Sequence, residues 1–543
     1  MSVGIRVAWL SMFTDRISRG IYRLVLIGIA LIAPGAVAAN VLTEHNDLAR
    51  TGANTSEGIL TPGNVATSFG TLFTDNVDAQ VYAQPLYVQD LSISGGIHNV
   101  VFVCTESNSV YALDADTVSN IYWHINLGTP FSPTSCGDLS PVVGITSTPV
   151  IDLGSGTIYV ETKLASGNHE LHALSLTNGA EKFGGPATIS ATGFTGSIEH
   201  QRAGLLLLNG VVYLGFASHC DQGAYHGFEL GYSATNLSLL YTFNATPTGN
   251  EGGIWSSGMA PAADTNGNIY IMTGNGTFDG TQNFGMSMIK LSSSLDVEDY
   301  ATPTNWSSLS GADLDFGSGG VVLLPPHYAV GIGKDTNLCM ADINNMGHVG
   351  NWAQVLTTES SQGDVVGKSP VYWQGPTMQY LFLMHANNPT KSFQYTSGHI
   401  NPMALGTGAF SEDDRSGGLS LSANGTNNGI LWEMGSDSNL RAYDAVNFPK
   451  LLWTGSVGTY VKMACPTIAN GKVYVGTASN LGVWGLTNFL YMQSGVKNPL
   501  LSWAAGTLQQ STNVIGPWTT IPTSSAYTIV PTNRHVFYRL EIP

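Results

Sequence analysis

Two aspartates placed two residues apart are the residues whose spacing most suggests chemistry. Asp313 and Asp315 stand in the phrase ADLDFGSGG, at the start of a predicted strand. Side chains two residues apart on a strand point to the same face, so the two carboxylates are expected side by side. Such a pair suits a hard metal ion, which prefers oxygen ligands. A solvated loop accounts for the two residues equally well, and both interpretations stay open.

A second group of candidates lies between residues 200 and 226. His200 and Arg202 open a predicted strand and should point into a central, solvent-filled funnel of the fold and not into a core between sheets. Arg202 could there hold an anionic substrate or a cofactor carboxylate. Residues of the types that bind transition metals follow, namely His219, Cys220, Asp221 and His226. Their spacing matches no strong metal motif, so we favour a polar loop with a disulfide.

Other kinds of site find little support. The acidic residues Glu412, Asp413 and Asp414 suit calcium, although such a run is usually a solvated loop. The sequence contains no phosphate-binding loop, nucleophile elbow, zinc-binding helix or EF-hand loop, which leaves phosphoryl transfer and serine hydrolysis unsupported. It also contains no Cys-x-x-Cys-His motif, so no covalent c-type haem, and hence no haem, is expected in this chain.

The five cysteines indicate one disulfide or two and at least one free thiol, because their number is odd. Cys104 and Cys339 lie in apolar strand patterns that are typical of a core. Cys136 and Cys220 lie in polar loops. We predict that these two form the oxidised pair.

The first 39 residues predict a cleaved export signal peptide. A basic leader with four arginines precedes an unbroken apolar run at residues 24–33, and residues 36–38 offer small side chains for cleavage. The mature chain would begin near Ala39 or Asn40. An uncleaved anchor is the alternative, but the apolar stretch is short against the ~20 residues of a spanning helix. We therefore expect an exported protein, periplasmic or extracellular, with no membrane span in its mature chain.

Composition narrows the fold and the partners. The formal charge is −17, from 20 basic and 37 acidic residues, so binding to nucleic acid or to an anionic membrane is not expected. Charged residues make up only 10% of the chain and glycine contributes 64 residues. This composition favours many short strands joined by tight turns.

One phrase of two strands and a turn recurs eight times between residues 99 and 486, as in NVVFVCTESNSVYALDAD from Asn99 and GKVYVGTASNLGVWGL from Gly471. Each copy follows a candidate inner strand. This periodicity predicts an all-β fold, an eight-bladed β-propeller with four-stranded antiparallel blades over residues 40–486. We expect residues 69–78 to complete the last blade. Residues 487–543 should form a small C-terminal β-rich tail, either an attachment module or a cover for one face.

The repeat phrases VYALDADT from Val110 and LHALSLTNG from Leu171 resemble the blade repeats of propellers that bind pyrroloquinoline quinone (PQQ). A longer ordered match runs from Cys136 to about Asp342. It contains SCGDLSPVVGITSTPVID, GGIWSSGMAPAADTNGNIYIMTGNG, ADLDFGSGG and GKDTNLCMADIN. The chain therefore resembles the quinoprotein alcohol dehydrogenase-like superfamily, whose propellers hold PQQ and a metal ion.

This resemblance implies a cofactor-binding set. Trp255 would lie under the planar quinone, which suits an aromatic side chain. Lys334 would contact the quinone oxygens. Arg202 and Cys136 would complete the set, the former by holding a carboxylate and the latter as the remnant of the family's adjacent cysteine pair.

The resemblance also implies a base and a metal site. Asp313 would be the catalytic base that takes the proton of an alcohol. The ligands of a calcium or lanthanide ion would be Asn275, Asp315 and, where the family has its metal-binding Glu, Asp221 or Gln222. The quinone would carry the redox step, and electrons would leave to a separate acceptor.

Two departures from the family pattern concern the quinone. The adjacent cysteine pair is reduced to Ser135-Cys136, so the family's disulfide lid cannot form. The family's Asn-Arg-Gly phrase is replaced by PVVG at residues 141–144, which removes an Arg that would hold a cofactor carboxylate.

Three functions follow as hypotheses. The first is a PQQ- and metal-dependent dehydrogenase of small alcohols or sugars with a degenerate cofactor site. The second is a non-catalytic propeller that binds a glycan or an envelope protein. The third is a polysaccharide lyase or hydrolase that uses His200 and Arg202.

Overall fold

The computed structural model describes residues 40–133, 136–358, 368–413, 417–493, 499–523, 526–530 and 536–541. Its helices in these residues are short: two α-helices, Pro62–Ser68 and Trp306–Gly311, and two 3-10 turns, Ser256–Gly258 and Phe316–Ser318. None of the helices in this part of the chain is long and apolar enough to cross a bilayer. The remaining regular structure consists of strands.

Eight sheets of mainly antiparallel strands follow one another along the chain, and we number them 1 to 8. Sheet 1 contains Leu86–Ile93, Gly96–Cys104, Ser109–Asp114 and Ile121–Asn126. Sheet 2 contains Val150–Asp152, Thr157–Lys163, His169–Ser175 and Ala187–Thr188. Sheet 3 contains Glu199–Gln201, Leu206–Leu208, Val211–Ser218, Phe228–Ser233 and Leu239–Asn244. Sheet 4 contains Ala262–Ala263, Ile269–Met272, Met288–Leu291, Val297–Thr302 and His348–Val349.

The second half of the chain continues the series. Sheet 5 contains Val322–Leu324, Tyr328–Ile332, Asn337–Asp342 and Gln354–Thr357. Sheet 6 contains Lys368–Gln374, Gln379–Met384, Pro389–Thr396, His399–Ile400 and Gly406–Ser411. Sheet 7 contains Leu419–Asn424, Asn427–Met434, Asn439–Asp444 and Leu451–Ser456, with Ala53–Asn54 added in parallel. Sheet 8 contains Thr467–Ala469, Lys472–Gly476, Asn480–Leu486 and Phe69–Asn76.

After sheet 8 the chain forms two smaller sheets of three strands each. The first contains Tyr491–Gln493, Leu500–Ser502 and Ala526–Thr528. The second contains Thr507–Ser511, Thr519–Thr520 and Phe537–Glu541. The prediction of an all-β fold built mainly from four-stranded antiparallel sheets is confirmed.

Sheet 8 lies next to sheet 1, so the row of sheets closes into a ring. Thr467 Oγ1, in the first strand of sheet 8, donates to the carbonyl oxygen of Pro85 at 2.5 Å, directly before sheet 1. At the opposite edge of sheet 8, Phe69–Asn76 pairs antiparallel with Asn480–Leu486. A strand from the N-terminal side thus completes a sheet whose other strands come from the C-terminal side.

Neighbouring sheets cover one another, which explains why the middle strands are apolar on both faces. Val100, Val101 and Phe102 are consecutive and at most 1% exposed. Consecutive side chains on a strand point to opposite faces, so both faces of sheet 1 are buried here. The apolar clusters lie between sheets; Trp432 of sheet 7 packs in one cluster with Val473 of sheet 8.

Residues 41–54, which we call the belt, form hydrogen bonds with one sheet of the ring after another. Main-chain hydrogen bonds join the belt to sheets 1, 2, 4, 5, 6 and 7 in turn, at Tyr87, Ile151, Ala263, Leu323, Tyr372 and Leu421. Asn54 Nδ2 then donates to the carbonyl oxygen of Ile468 in sheet 8 at 2.8 Å. Arg50 is fully buried and donates to Thr43 Oγ1 and to the carbonyl oxygen of Glu44. Among the described residues, this short segment therefore bonds to seven of the eight numbered sheets, all but sheet 3.

Candidate functional site

A cavity of about 340 Å³ opens where loops before, between and within sheets 2 to 5 meet the segment leading into sheet 8. Its lining consists of Asp138, Arg202, Cys220, Asp221, Trp255, Ser257, Asp313, Asp315, Ser318, Lys334 and Met463. Six of these residues are predicted site residues, namely Arg202, Asp221, Trp255, Asp313, Asp315 and Lys334. The fold therefore brings these six side chains to one cavity.

One end of the cavity, which we call the acidic end, joins the two predicted aspartates to Asn275 and Lys334. Asn275 Nδ2 donates to Asp313 Oδ1 at 2.7 Å, and the Asn275 N–H donates to Asp315 Oδ1 at 2.7 Å. Lys334 Nζ lies 2.8 Å from Asp315 Oδ2 and 3.5 Å from Asp313 Oδ1. Burial raises the pKa of Asp315, and attraction by the Lys334 ammonium partly offsets that rise. The Asp313 side chain, 60% exposed, is the open member of the group.

The local structure of the aspartate pair differs from the prediction. Asp313 and Asp315 lie after the helix Trp306–Gly311 and before a 3-10 turn, so the strand predicted to start here is absent from the described chain. Asp313 has a φ of 57°, in the left-handed region that Asp tolerates better than most residues. A turn, and not strand alternation, therefore brings the two carboxylates together.

One oxygen at the acidic end has no partner. Asn275 is 6% exposed, and its Oδ1 accepts no hydrogen bond from the described residues. An unpaired buried oxygen costs about 1–3 kcal/mol unless water or an ion satisfies it. With the carboxylates of Asp313 and Asp315 beside it, this oxygen completes a donor set of the kind that calcium prefers. The acidic end thus fits a hard cation.

Trp255 forms one wall of the cavity and packs against bare backbone. Its side chain is half-buried, and its Nε1 donates to no residue in the described ranges. A Cβ placed on Gly274 would stand 2.8 Å from Trp255 Cδ1 and 2.2 Å from Asp315 Oδ1. Glycine at 274 therefore permits the indole and the carboxylate to approach the same point. The Thr-Gly-Asn-Gly run positions both Trp255 and Asn275.

Two further carboxylates stand near the acidic end. Asp221 is exposed and accepts a 2.5 Å hydrogen bond from Tyr225. The carboxylates of Asp221, Asp313 and Asp315 do not all lie within 4.8 Å of one another, as judged over the described residues. Sequence reasoning missed Glu251, whose pKa is raised by burial and by repulsion from those three aspartates. Glu251 stands four residues before Trp255 in no recognisable ligand motif, so only its place beside the matched phrase could have drawn attention to it.

The other end of the cavity, which we call the basic end, holds two cations and one carboxylate. Arg202 Nη1 donates to Asp138 Oδ2 at 2.8 Å, and Lys462 Nζ donates to Asp138 Oδ1. Burial raises the pKa of Asp138, but attraction by Arg202 and Lys462 outweighs it and holds the pKa below its ordinary value. Sequence reasoning identified Arg202 alone, because Lys462 lies 324 residues from Asp138. The available signal was that Lys462 stands just before a predicted inner strand, close to the position that Arg202 takes at the opening of another.

Cys136 and Cys220 form a disulfide, which confirms the predicted pair. Cys220 lines the cavity, whereas Cys136 is 7% exposed and lies behind it. The disulfide joins the segment that carries Asp138 to the segment that carries Asp221. Ser135, the other half of the reduced cysteine pair, lies outside the described residues. The other three cysteines, Cys104, Cys339 and Cys465, are buried and form no disulfide in the described structure.

His200, in sheet 3, is buried beside the cavity, and neither it nor the half-buried His219 is among the residues that line this cavity in the described structure. His200 is 2% exposed and stacks on His219 with ring centroids 4.2 Å apart. Burial lowers the pKa of His200 far below its ordinary value, so its ring is neutral. In the described ranges, the group of His, Cys and acidic side chains that meets within 4.8 Å is Glu44, His45 and Cys465, at the belt. The transition-metal interpretation of residues 219–226 is wrong.

The acidic run at residues 412–414 is not a calcium loop in its described part. Glu412 is 2% exposed and its Oε1 accepts a 2.9 Å hydrogen bond from Arg441, which also bonds to Glu433. Asp414 lies outside the described residues. The interpretation as a solvated loop fails for Glu412, because this carboxylate is buried in an ion pair.

Known proteins share the fold of this chain and not its sequence. Neither a protein family nor a curated protein matches the sequence. A europium-containing methanol dehydrogenase superposes with a TM-score of 0.60 at 13% identity, covering 82% of this chain and 98% of that chain. A quinohemoprotein alcohol dehydrogenase from Comamonas testosteroni gives a TM-score of 0.60 at 14% identity over 83% and 81%. Another from Pseudomonas putida gives 0.59 at 14% identity over 84% and 81%.

TM-scores of 0.59–0.60 at identities of 13–14% show a common fold and nothing beyond it. The repeat phrases and the eight sheets agree with these superpositions. The chain therefore has the β-propeller fold of the quinoprotein alcohol dehydrogenases, as its sequence resemblance implied.

Proposed function

We propose that this protein oxidises a small alcohol or sugar, using a metal ion and a quinone of the PQQ type in the cavity. The observation that carries the proposal is the unpartnered Oδ1 of Asn275, which belongs to the same hydrogen-bonded group as Asp313 and Asp315. Trp255 stands beside this group as an aromatic wall. The structural neighbours, one described as europium-containing and two as quinohemoproteins, support the same chemistry.

The chain's own residues supply most of what these two groups require. Asn275 and Asp315 would bind the metal ion, with Asp221 as a further oxygen donor from the cavity wall. Trp255 would support the plane of the quinone, and Lys334 would contact its oxygens. When bound, the quinone supplies the two-electron oxidant and the metal ion polarises an oxygen at the reacting centre.

Asp313 is the group we assign to proton removal. Its side chain is 60% exposed in the cavity lining, so a substrate hydroxyl can reach it. The Nδ2 of Asn275 holds Asp313 Oδ1 at 2.7 Å and thereby fixes the carboxylate. A positioned carboxylate of this kind contributes about 10²–10⁴-fold to the rate of a reaction that needs proton transfer.

The proposal includes export and an external electron acceptor. The basic, apolar leader supports a periplasmic or extracellular location. Because the sequence lacks a c-type haem motif, electrons would pass from the cavity to a separate acceptor.

Binding of PQQ in the presence of calcium or lanthanum tests the proposal directly. We expect saturable quenching of tryptophan fluorescence at micromolar PQQ, dependent on the metal ion, and reduction of an artificial acceptor when an alcohol is added. Asn275→Ala should weaken metal binding by about 10–100-fold, since it removes one ligand and releases Asp313. Asp296→Asn, in an exposed turn of sheet 4, is the matched control and should leave binding unchanged.

Absence of metal-dependent binding at micromolar PQQ would contradict the proposal. A glycan array and a product assay on acidic polysaccharides then separate the two other functions, because a binding module retains glycans and a lyase or hydrolase shortens them.

A further inference from the structure

At the basic end, a carboxylate of the chain itself is bonded to both cations. Asp138 bonds through one oxygen to Arg202 and through the other to Lys462. The side chains of Arg202 and Lys462 are each 7% exposed, whereas that of Asp138 is 33% exposed. The two cations are thus buried in the cavity wall, and the carboxylate lies on their solvent side.

The segment that carries Asp138 is fixed at both sides but has no regular structure of its own. Cys136 ties it to Cys220, and Phe131 and Val143 pair through two main-chain hydrogen bonds of 2.8 and 2.9 Å. Between these points the described residues form neither helix nor strand. Displacement of Asp138 from the two cations would therefore break no helix or strand of the described chain.

The basic end carries more positive than negative charge, because Arg202 and Lys462 share the single carboxylate of Asp138. Arg202, Lys462 and Lys334 carry three positive charges, and the lining carboxylates Asp138, Asp221, Asp313 and Asp315 carry four negative charges. A carboxylate ligand that replaces Asp138 would meet the same two cations in the same places. Arg presents paired N–H donors that match a carboxylate, and charge-assisted hydrogen bonds are the strong ones.

We propose that Arg202 and Lys462 form an anion subsite for the carboxylate of a ligand, and that Asp138 is an internal competitor for it. The ligand class is a carboxylic acid small enough for a cavity of about 340 Å³, such as a sugar acid. The subsite shares the cavity of the proposed function, but its existence requires neither a metal ion nor turnover.

Gluconate, with sorbitol as its uncharged counterpart of the same chain length, is the probe. Binding is measured by calorimetry on the purified full chain without metal ion or quinone. Asp138→Asn removes the competing charge at constant size, so gluconate should bind about tenfold more tightly while sorbitol binding stays unchanged. Asp138→Glu keeps the charge, and its affinity for gluconate should stay near that of the parent chain.

Two further variants test the cations. Adding Arg202→Gln or Lys462→Gln to the Asp138→Asn variant should abolish the gain, since the ligand then meets only one cation. Asp116→Asn is the matched control, because Asp116 pairs with Lys472 at 2.5 Å in another buried ion pair outside this cavity. It should leave gluconate binding unchanged. If the Asp138→Asn variant does not fold, loss of gluconate binding by Lys462→Gln in the parent chain provides the test.

PQQ itself, titrated in the same variants, distinguishes the source of the carboxylate. Tightening of gluconate binding assigns the subsite to a sugar acid, and tightening of PQQ binding alone assigns it to a quinone carboxylate. If Asp138→Asn tightens neither ligand, Asp138 is a structural counter-ion and the inference is overturned. Because none of these measurements uses turnover, failure of the oxidation proposal would not affect them.

Discussion

The two ends of the cavity differ in how their charges are satisfied. At the acidic end, Asn275 Oδ1 is unpaired among the described residues and Asp313 is open to the cavity. At the basic end, Asp138 already bonds to both Arg202 and Lys462. One end is therefore arranged to receive a cation, and the other contains its own anion. In the proposed function, the acidic end would hold the metal ion, whereas the cations of the basic end are already bonded to a carboxylate of the chain itself.

Loss of the open carboxylate should give the largest effect and separate the two ends by function. Asp313→Asn should lower turnover of the metal- and PQQ-loaded protein by about 10²–10⁴-fold, because the amide cannot accept the hydroxyl proton. Steady-state kinetics with an artificial acceptor measure this. Arg202→Gln, at the basic end, should change KM more than kcat. Equal losses of kcat in both variants would break the distinction between the ends.

Removal of the disulfide should loosen the basic end more than the acidic end, to which it is linked only through Asp221, the neighbour of Cys220. Cys136→Ser combined with Cys220→Ser opens a loop closed across 84 residues, for which chain entropy predicts a loss of about 4.5 kcal/mol in the free energy of unfolding. Urea unfolding measures the loss. Metal affinity at Asn275 should stay within twofold of the parent value, and a larger change would show that the disulfide also organises the acidic end.

The basic end should also account for a share of the pH dependence of stability. Glu106 accepts a hydrogen bond from the Gly144 N–H, near the segment of Asp138, and burial raises its pKa to about 7. The unfolded chain ionises Glu106 from about pH 4.3, whereas the folded chain keeps it protonated until about pH 7, so its contribution to stability falls as the pH rises between these values.

Glu106→Gln removes this titration. Across pH 4.5 to 7 the parent chain should lose about 3 kcal/mol more stability than the variant. Urea midpoints at pH 5, 6 and 7 provide the measurement. Parallel curves for the two proteins would show that Glu106 is already ionised in the folded state.

The smallest effect is expected between the two ends. Ser257 Oγ donates to the carbonyl oxygen of Ser318 at 2.6 Å, and both residues line the cavity. Ser257→Ala should lower the free energy of unfolding by about 1 kcal/mol, because the buried carbonyl loses a donor. Thermal unfolding measures it, with Ser294→Ala in an exposed turn as the control. A loss of metal or gluconate binding would show that this contact joins the two ends.

Much of the fold was predictable because the apolar residues of the repeated strands directly reflect which faces are buried. Runs such as NVVFVC are apolar on both faces, which requires neighbouring sheets on both sides, and Val100 and Val101 are buried as expected. The acidic end was also predictable, because Trp255, Asn275 and Asp313 stand in phrases that resemble a known family. The local conformation at Asp313 was not, since a left-handed turn leaves no periodic signal.

The basic end could not be predicted in full. Arg202, Asp138 and Lys462 come from segments distant in sequence, and only closure of the ring brings Lys462 to the other two. The burial of Glu412 was missed for the same reason, because its partner Arg441 belongs to another strand. Contacts between residues that are distant in the chain and meet only in the folded ring leave no local pattern in a single sequence.

The belt has a consequence for how the molecule comes apart. Propellers are built from repeated units, and repeat arrays can lose terminal units one at a time. Here residues 41–54 bond to seven of the eight sheets, so release of one sheet disturbs a segment on which the others depend. The ring should unfold as one cooperative unit, with calorimetric and van't Hoff enthalpies that agree. The fourteen residues of the belt would thereby couple sheets that could otherwise unfold one at a time.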